Sequence, residues 1–64
     1  MKPIIRSFPN GWTALRYQVG TWYCASVRNA RGETHDAIRC DTPRAAREYF
    51  QAFAAIAKRA GGQS

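Results

Sequence analysis

Four arginines lie where the chain alternates between apolar and polar residues, and together they could bind an anion. Arg28, Arg31 and Arg39 belong to one predicted hairpin, and Arg16 belongs to the strand before it. A guanidinium group presents a planar fork of donors that can pair with a guanine edge or with two phosphate oxygens. Phosphate contacts alone would give a salt-sensitive affinity without sequence preference. The alternative is that these arginines form only a solvated charged surface.

Cys24, His35 and Cys40 are residues of the types that bind zinc. Their spacing, Cys-x10-His-x4-Cys, lacks the closely paired ligands of a zinc finger or knuckle, and Asp36 or Asp41 would have to be the fourth ligand. We therefore expect two buried free thiols, no metal site and no cofactor.

His35 and Asp36, with a cysteine nearby, are the residues that most suggest nucleophilic catalysis. Adjacent residues of a strand point to opposite faces, so Asp36 could not orient His35 directly. The sequence contains no Gly-rich phosphate loop and no pair of carboxylates placed for acid–base work. We expect that the protein is not an enzyme.

Three strands are predicted in the first two thirds of the chain. From Thr13 to Val19, apolar residues alternate with Ala14, Arg16 and Gln18, which is the period of a half-buried strand. After a tight break at Gly20-Thr21, the run from Trp22 to Arg28 is rich in aromatic and β-branched residues. The turn signal at residues 29–32 precedes a weaker third strand from Glu33 to Cys40.

A helix is predicted over residues 43–60. Thr42 can cap it, Pro43 suits its first position, and Gly61-Gly62 provides a stop. Its apolar residues recur at helical spacing and form one stripe: Ala46, Tyr49, Phe50, Phe53, Ile56 (or Ala57) and Ala60. The predicted architecture is α+β, a three-stranded antiparallel meander over residues 12–40 with this helix packed on one face. Residues 1–11 are predicted to be an irregular arm with turn signals at 8–11, and residues 61–64 a tail.

The register of the second hairpin decides which residues face outward. A three-residue loop over 30–32, with Gly32 in a bulge, sets Arg28 opposite Thr34, Cys24 opposite Ile38 and Trp22 opposite Cys40. This register predicts Trp22, Cys24, Ile38 and Cys40 on the helix side. The outer face then holds Tyr23, Ala25, Val27, His35, Ala37 and Arg39, joined by Arg16 and Gln18. A slip of one residue exchanges the faces, so Tyr23, Ala25 and Val27 could instead be core.

Two further consequences follow from that register. Cys24 and Cys40 are diagonal neighbours with Cβ atoms roughly 7 Å apart, too far for an unstrained disulfide. Among the aromatic residues, only Tyr23 and Trp12 are expected to be exposed and able to stack on bases.

Length and charge restrict the classes of partner. The chain has 64 residues, a net charge of +6 and 45% apolar residues, which predicts one domain over 1–64 with a thin core. The charge favours an anionic partner, of which nucleic acid is the commonest for a small basic domain. No apolar run is long enough for a membrane span and no secretory signal is recognisable, so we expect no membrane partner and a cytoplasmic location.

Several of these residues resemble a known family. Trp22-Tyr23 at the start of a strand, the hairpin residues Arg31-Gly32, and the junction from Cys40 to Ala46 are similar to the AP2-like, arm-type DNA-binding domain of phage and transposon integrases. Thr42 and Ala46 match the family's Phe-x-Thr-x-x-x-Ala junction, whereas Cys40 replaces its aromatic residue. The resemblance covers about residues 15–53. It implies that the sheet enters the DNA major groove, with contacts from Arg16, Gln18, Tyr23, Arg28, Arg31, His35 and Arg39.

The sequence departs from that family in two respects. Glu33 and Asp36 would lie near phosphates and repel them, and no recombinase domain follows. The resemblance therefore implies a stand-alone regulator or accessory protein of a phage or mobile element. The alternative is a phage protein-binding module that inhibits a host protein such as a CRISPR nuclease complex. An edge strand or the Ala-rich helix could also form a homodimer.

Overall fold

The computed structural model describes residues 2–62. It contains strands β1 (Ile4–Ser7), β2 (Thr13–Val19), β3 (Trp22–Arg28) and β4 (Thr34–Cys40), followed by one helix, α1 (Pro43–Gly62). The strands form a single antiparallel sheet in the order β1-β2-β3-β4. The predicted α+β class, with an antiparallel sheet and a C-terminal helix, is confirmed. The prediction of three strands is wrong, because the sheet has four.

The additional strand lies in the segment that was predicted to be an irregular arm. β1 pairs with β2 from Ile4↔Arg16 to Ser7↔Thr13. All four of its residues are exposed, so burial leaves no alternating pattern in this part of the sequence. Backbone pairing along the edge of β2 accounts for the strand instead. Met1 of the predicted arm lies outside the described residues.

Two loops of the same geometry join β1 to β2 and β3 to β4. In the first loop, Phe8 N–H donates to the Trp12 carbonyl over 2.9 Å and Gly11 N–H donates to the Phe8 carbonyl over 3.0 Å. Asn29, Gly32 and Glu33 repeat this pattern in the second loop, as predicted. Each loop ends in a glycine with positive φ, 90° at Gly11 and 83° at Gly32, which bulged three-residue hairpin loops require.

Replacing the two loop glycines by alanine is expected to have unequal effects. Both substitutions strain a backbone with positive φ, which costs on the order of 1 kcal/mol. A Cβ on Gly32 would meet nothing within 4 Å, whereas a Cβ on Gly11 would lie 3.1 Å from the Cβ of Ala30 in the other loop. We expect Gly32→Ala to lower the free energy of unfolding by about 1 kcal/mol and Gly11→Ala by about 1–2 kcal/mol. Urea denaturation measures both, and equal losses would show that the loops do not touch.

A bulge in β4 reverses the predicted faces of β2 and β3, whereas Ile38 and Cys40 of β4 lie on the helix side and Arg39 on the outer side, as predicted. Arg28 pairs with Thr34, as predicted, but the register shifts between Val27 and Arg28, and Val27 pairs with Asp36. His35 is therefore an extra residue of β4 without a partner in β3. Every pair between residues 36–40 of β4 and β3 is shifted by one position from the predicted register. Cys24 pairs with Arg39 instead of Ile38, and Tyr23 pairs with Cys40.

The bulge places the β3 residues predicted to face outward against the helix. Ala25 and Val27 are completely buried and form a cluster with Phe53 and Ala57 of α1. Tyr23 pairs with buried Cys40 on the same side. Trp22 and Cys24, which were predicted to face the helix, alternate with these residues and point to the opposite side. The alternative in which Tyr23, Ala25 and Val27 are core residues is the one that the structure supports.

The start of α1 is formed as predicted. Ala45 N–H donates to Thr42 Oγ1 over 3.2 Å, which caps the helix, and Pro43 is its first residue. The helix continues to Gly62 rather than stopping at residue 60. Residues 63 and 64 of the predicted tail lie outside the described residues. No helix in residues 2–62 combines the length and apolarity that crossing a membrane requires.

Small residues dominate the contact between α1 and the sheet. Ala46 and Ala57 of the helix are almost completely buried, as are Ala14 and Ala25 of the sheet. Phe53 is the large side chain of the predicted stripe that is buried, whereas Tyr49 and Ile56 are 43% and 38% exposed. Asn10 Nδ2 also donates to the Ala57 carbonyl over 2.7 Å, which ties the first hairpin loop to the helix.

Candidate nucleic-acid interface

The sheet face that α1 leaves uncovered, here called the outer face, is a candidate surface for a partner. Its members follow from the strand pairing and from alternation along each strand. They are Ile5, Ser7, Thr13, Leu15, Tyr17, Val19, Trp22, Cys24, Ser26, Arg28, Thr34, Ala37 and Arg39.

Two of the predicted contact residues, Arg28 and Arg39, lie on the outer face. Both are exposed. The guanidinium carbon of Arg39 lies 4.7 Å from the ring centroid of Trp22 on the neighbouring strand, within the range of a cation–π interaction. This contact restrains the Arg39 side chain on the open face while its donors remain free for an anion.

The outer face carries no carboxylate among its paired residues. Asp36 pairs with Val27 and so belongs to the helix side of the sheet. Glu33 lies in the loop, where its Oε1 accepts a hydrogen bond from Asn29 Nδ2 over 3.2 Å. Glu33 and Asp36 were expected to repel phosphates. Neither is among the paired residues of the outer face.

Three other predicted contact residues, Arg16, Gln18 and Tyr23, lie on the helix side, contrary to the predicted arrangement. They share one face, as predicted, but the register shift at His35 makes it the covered face. Arg16 is half-buried, with its guanidinium carbon 5.7 Å from the Phe50 ring centroid. Gln18 is exposed and donates to the Gly20 carbonyl over 3.1 Å. Tyr23 is half-buried beside the start of α1.

The last two predicted contacts, Arg31 and His35, lie toward the loop end of the sheet. Arg31 is exposed, and its N–H donates to Asn29 Oδ1 over 2.9 Å. His35 is the bulge residue, and its ring lies 5.2 Å from that of Trp12 in an edge-on arrangement. Trp12 packs against the core, so the prediction that it is an exposed stacking residue is wrong.

The structure does not bring Cys24, His35 and Cys40 together. Cys24 belongs to the outer face and Cys40 to the helix side, and both are buried free thiols. Their side chains project from opposite sides of the sheet, a stronger obstacle to a disulfide than the diagonal separation predicted from the sequence. In residues 2–62 no three potential metal ligands are grouped.

The outer face also exposes apolar side chains that the sequence analysis did not assign to it. Ile5 is 60% exposed, Val19 57% and Trp22 40%. Trp22 was predicted to face the helix because the predicted register contained no bulge opposite the step from Val27 to Arg28. For the same reason, the contact between Trp22 and Arg39 was not predicted.

Comparison of the chain with protein family models, with curated proteins and with solved structures finds no match. The resemblance to AP2-like domains therefore stays a prediction.

Proposed function

We propose that this protein binds duplex DNA through the outer face of its sheet. The observation that carries the proposal is the presence of Arg28 and Arg39 on adjacent strands of an uncovered face without a paired carboxylate. Arg31 extends this basic surface into the loop between β3 and β4. The net charge of +6 attracts a polyanion at long range, and the two strand arginines supply contacts at short range.

The cation–π contact gives Arg39 a specific part in the proposed interface. Long side chains lose rotamer entropy when they bind, and stacking on Trp22 removes part of that freedom beforehand. A restrained guanidinium can present its fork to a guanine edge, which would add sequence preference to phosphate binding. Arg28 has no such aromatic contact within residues 2–62, which suits it to a phosphate.

The resemblance to AP2-like domains supports the same proposal, since it too assigns the sheet to the DNA major groove. Under this reading the protein is a small regulator or accessory factor of a phage or mobile element. Trp22 replaces Tyr23 as the aromatic residue of the interface, because Tyr23 lies on the helix side.

Fluorescence anisotropy with a labelled random duplex tests the proposal. We expect micromolar binding at about 50 mM salt that weakens strongly at about 200 mM salt. The double variant Arg28→Gln/Arg39→Gln should lower the slope of log affinity against log salt by about 0.9 for the phosphate contact of Arg28, and by about 1.8 where Arg39 also contacts a phosphate instead of a guanine edge. The control Lys58→Gln/Arg59→Gln removes the same charge from the far end of α1 and should leave most of that slope unchanged.

Two results would contradict the DNA-binding proposal. One is the absence of duplex binding at the lower salt concentration. The other is an equal loss of slope in both double variants, which would indicate attraction by net charge without a defined face. A single-stranded probe, measured alongside, shows whether the interface prefers a duplex.

The second candidate function is the docking of a host protein on the same face. The exposed Ile5, Val19 and Trp22 add apolar surface beside the arginines of this face, and mixed apolar and charged surfaces of this kind are used in protein interfaces. Phosphate contacts are strong at about 50 mM salt. If the duplex does not bind at that concentration, docking of a host protein becomes the leading candidate function.

A further inference from the structure

A cavity of about 330 Å³ lies on the helix side of the sheet, away from the outer face. It is bordered by Arg16 of β2, Tyr23 of β3, and Arg44 and Arg47 near the start of α1. Arg16 and Tyr23 share the inner face of the sheet, and Arg44 and Arg47 are one helical turn apart. β2, β3 and α1 therefore contribute three arginines and one tyrosine to the lining of the cavity.

The charges around this cavity are unbalanced. None of its lining residues is acidic. Glu48 lies 3.8 Å from Arg44, but both side chains are largely exposed, at 70% and 90%, so this ion pair is weakly held. The first turn of α1 also carries no acidic residue, and Arg44 there faces the positive end of the helix dipole. An anion in the cavity would relieve this repulsion.

Arg16 supplies an independent observation. Its Nε is buried and has no hydrogen-bond partner within the described part of the chain. A buried guanidinium N–H without an acceptor is unfavourable, and native proteins rarely leave one. Packing against Phe50 holds the half-buried Arg16 side chain under the helix. A half-buried, unpartnered cation beside the cavity adds to the excess of positive charge there, which a bound anion would offset.

We propose that this cavity binds the phosphate group of a phosphomonoester. Guanidinium groups pair with phosphate oxygens through two parallel hydrogen bonds, and the Tyr23 hydroxyl can add another donor. The cavity volume lies at the lower end of the range of about 300–1,000 Å³ for small-molecule sites, so a phosphate with a small organic group fits it. This site goes beyond the proposed DNA-binding face: its three arginines and Tyr23 are not members of that face, although Tyr17 borders both.

Titration of the ¹⁵N-labelled protein with inorganic phosphate, followed by NMR at constant ionic strength, tests the proposal. We expect saturable shifts confined to the amides around Arg16, Tyr23 and residues 44–47. Arg47→Gln should weaken phosphate binding about tenfold, the effect of losing one charge-assisted hydrogen bond of about 1.4 kcal/mol. Arg59→Gln, an equal loss of charge at the other end of α1, should leave the affinity unchanged.

Arg47 is exposed, so its substitution should preserve the fold, and the same spectra verify this directly. Arg16→Gln is a second variant with the same expected loss of phosphate affinity. Non-saturating shifts spread over all surface arginines would overturn the proposal, as would equal weakening by Arg47→Gln and Arg59→Gln. In a background of Arg47→Gln or Arg16→Gln, the double substitution Arg28→Gln/Arg39→Gln should change the salt slope of duplex binding as much as it does in the unsubstituted protein. The two proposals can therefore fail separately.

The source of the phosphate group can be determined in the same system. A short single-stranded oligonucleotide with a 5′-phosphate is compared with the same strand carrying a 5′-hydroxyl. Stronger shifts at the cavity with the phosphorylated strand would assign the site to a nucleic-acid end. Equal shifts with the two strands, together with saturable binding of inorganic phosphate, would assign it to a small phosphorylated molecule.

Discussion

The Phe53→Ala variant is expected to lose about 3–5 kcal/mol of its free energy of unfolding. Phe53 is 5% exposed and packs between α1 and the buried Ala25 and Val27 of β3. Removing a buried phenyl ring costs about 3–5 kcal/mol, from lost transfer free energy and from the cavity left behind. A chain of 64 residues has a total stability of about 3–10 kcal/mol at the usual 0.05–0.15 kcal/mol per residue. The substitution therefore removes a large part of the free energy of unfolding.

Urea denaturation followed by far-UV circular dichroism measures this effect. Ile56→Ala is the matched control, because Ile56 lies on the same helix but is 38% exposed. Its expected loss is about 1 kcal/mol or less, since alanine also has the higher helix propensity. A Phe53→Ala protein as stable as the Ile56→Ala protein would show that α1 packs on the sheet with a different face.

The Ala57→Leu variant is expected to lose about 3 kcal/mol of stability, although the substitution makes the core more apolar. Ala57 is completely buried opposite Ala25 and Val27, where the helix approaches the sheet closely. A leucine adds three carbon atoms at a position with no free volume, so the helix must move away. That movement would also break the hydrogen bond from Asn10 Nδ2 to the Ala57 carbonyl.

Ala52→Leu is the control for this second prediction, because Ala52 is exposed on the same helix. Alanine and leucine have similar helix propensities, so the comparison reports packing alone. We expect the control to change stability by less than about 0.5 kcal/mol. An Ala57→Leu protein with unchanged or increased stability would mean that the helix and sheet are not in close contact there.

The two predictions together describe a core in which Phe53 is the large buried side chain of the helix, supported by a set of alanines and by the partly buried Phe50. Such a core is thin, as the length of the chain predicts. It also leaves the sheet covered on one side only, which is why Trp22 and Arg39 remain available on the other. The proposed interface is thus a direct consequence of having one helix for four strands.

The candidate site was less predictable than the fold. Of the seven residues expected to contact DNA, the structure places Arg28 and Arg39 on the outer face and Arg31 in the loop next to it. Arg16, Gln18 and Tyr23 were correctly grouped with one another but assigned to the wrong side. Arg44 and Arg47 lie outside the predicted apolar stripe, and nothing in the local sequence indicates that they border one cavity with Arg16.

The sequence by itself determined the local elements of this protein. Thr42 and Pro43 specify the start of α1, Gly32 specifies the hairpin loop, and alternation from Thr13 to Val19 specifies β2. These features depend on capping, on positive φ and on a period of two, which act between residues close in the chain. The local elements could therefore be predicted without knowledge of the tertiary structure.

Only the tertiary structure decided the fourth strand and the faces of the sheet. β1 is exposed throughout, so its place depends on the free edge of β2 rather than on its own pattern. The bulge at His35 shifts the pairing of β3 with β4 by one residue. Such a shift leaves the alternation within each strand unchanged, yet it exchanges the faces of β3 relative to those of β4. Both faces of β3 carry apolar residues, so it is the packing of Phe53 and Ala57 on Ala25 and Val27 that selects the covered side.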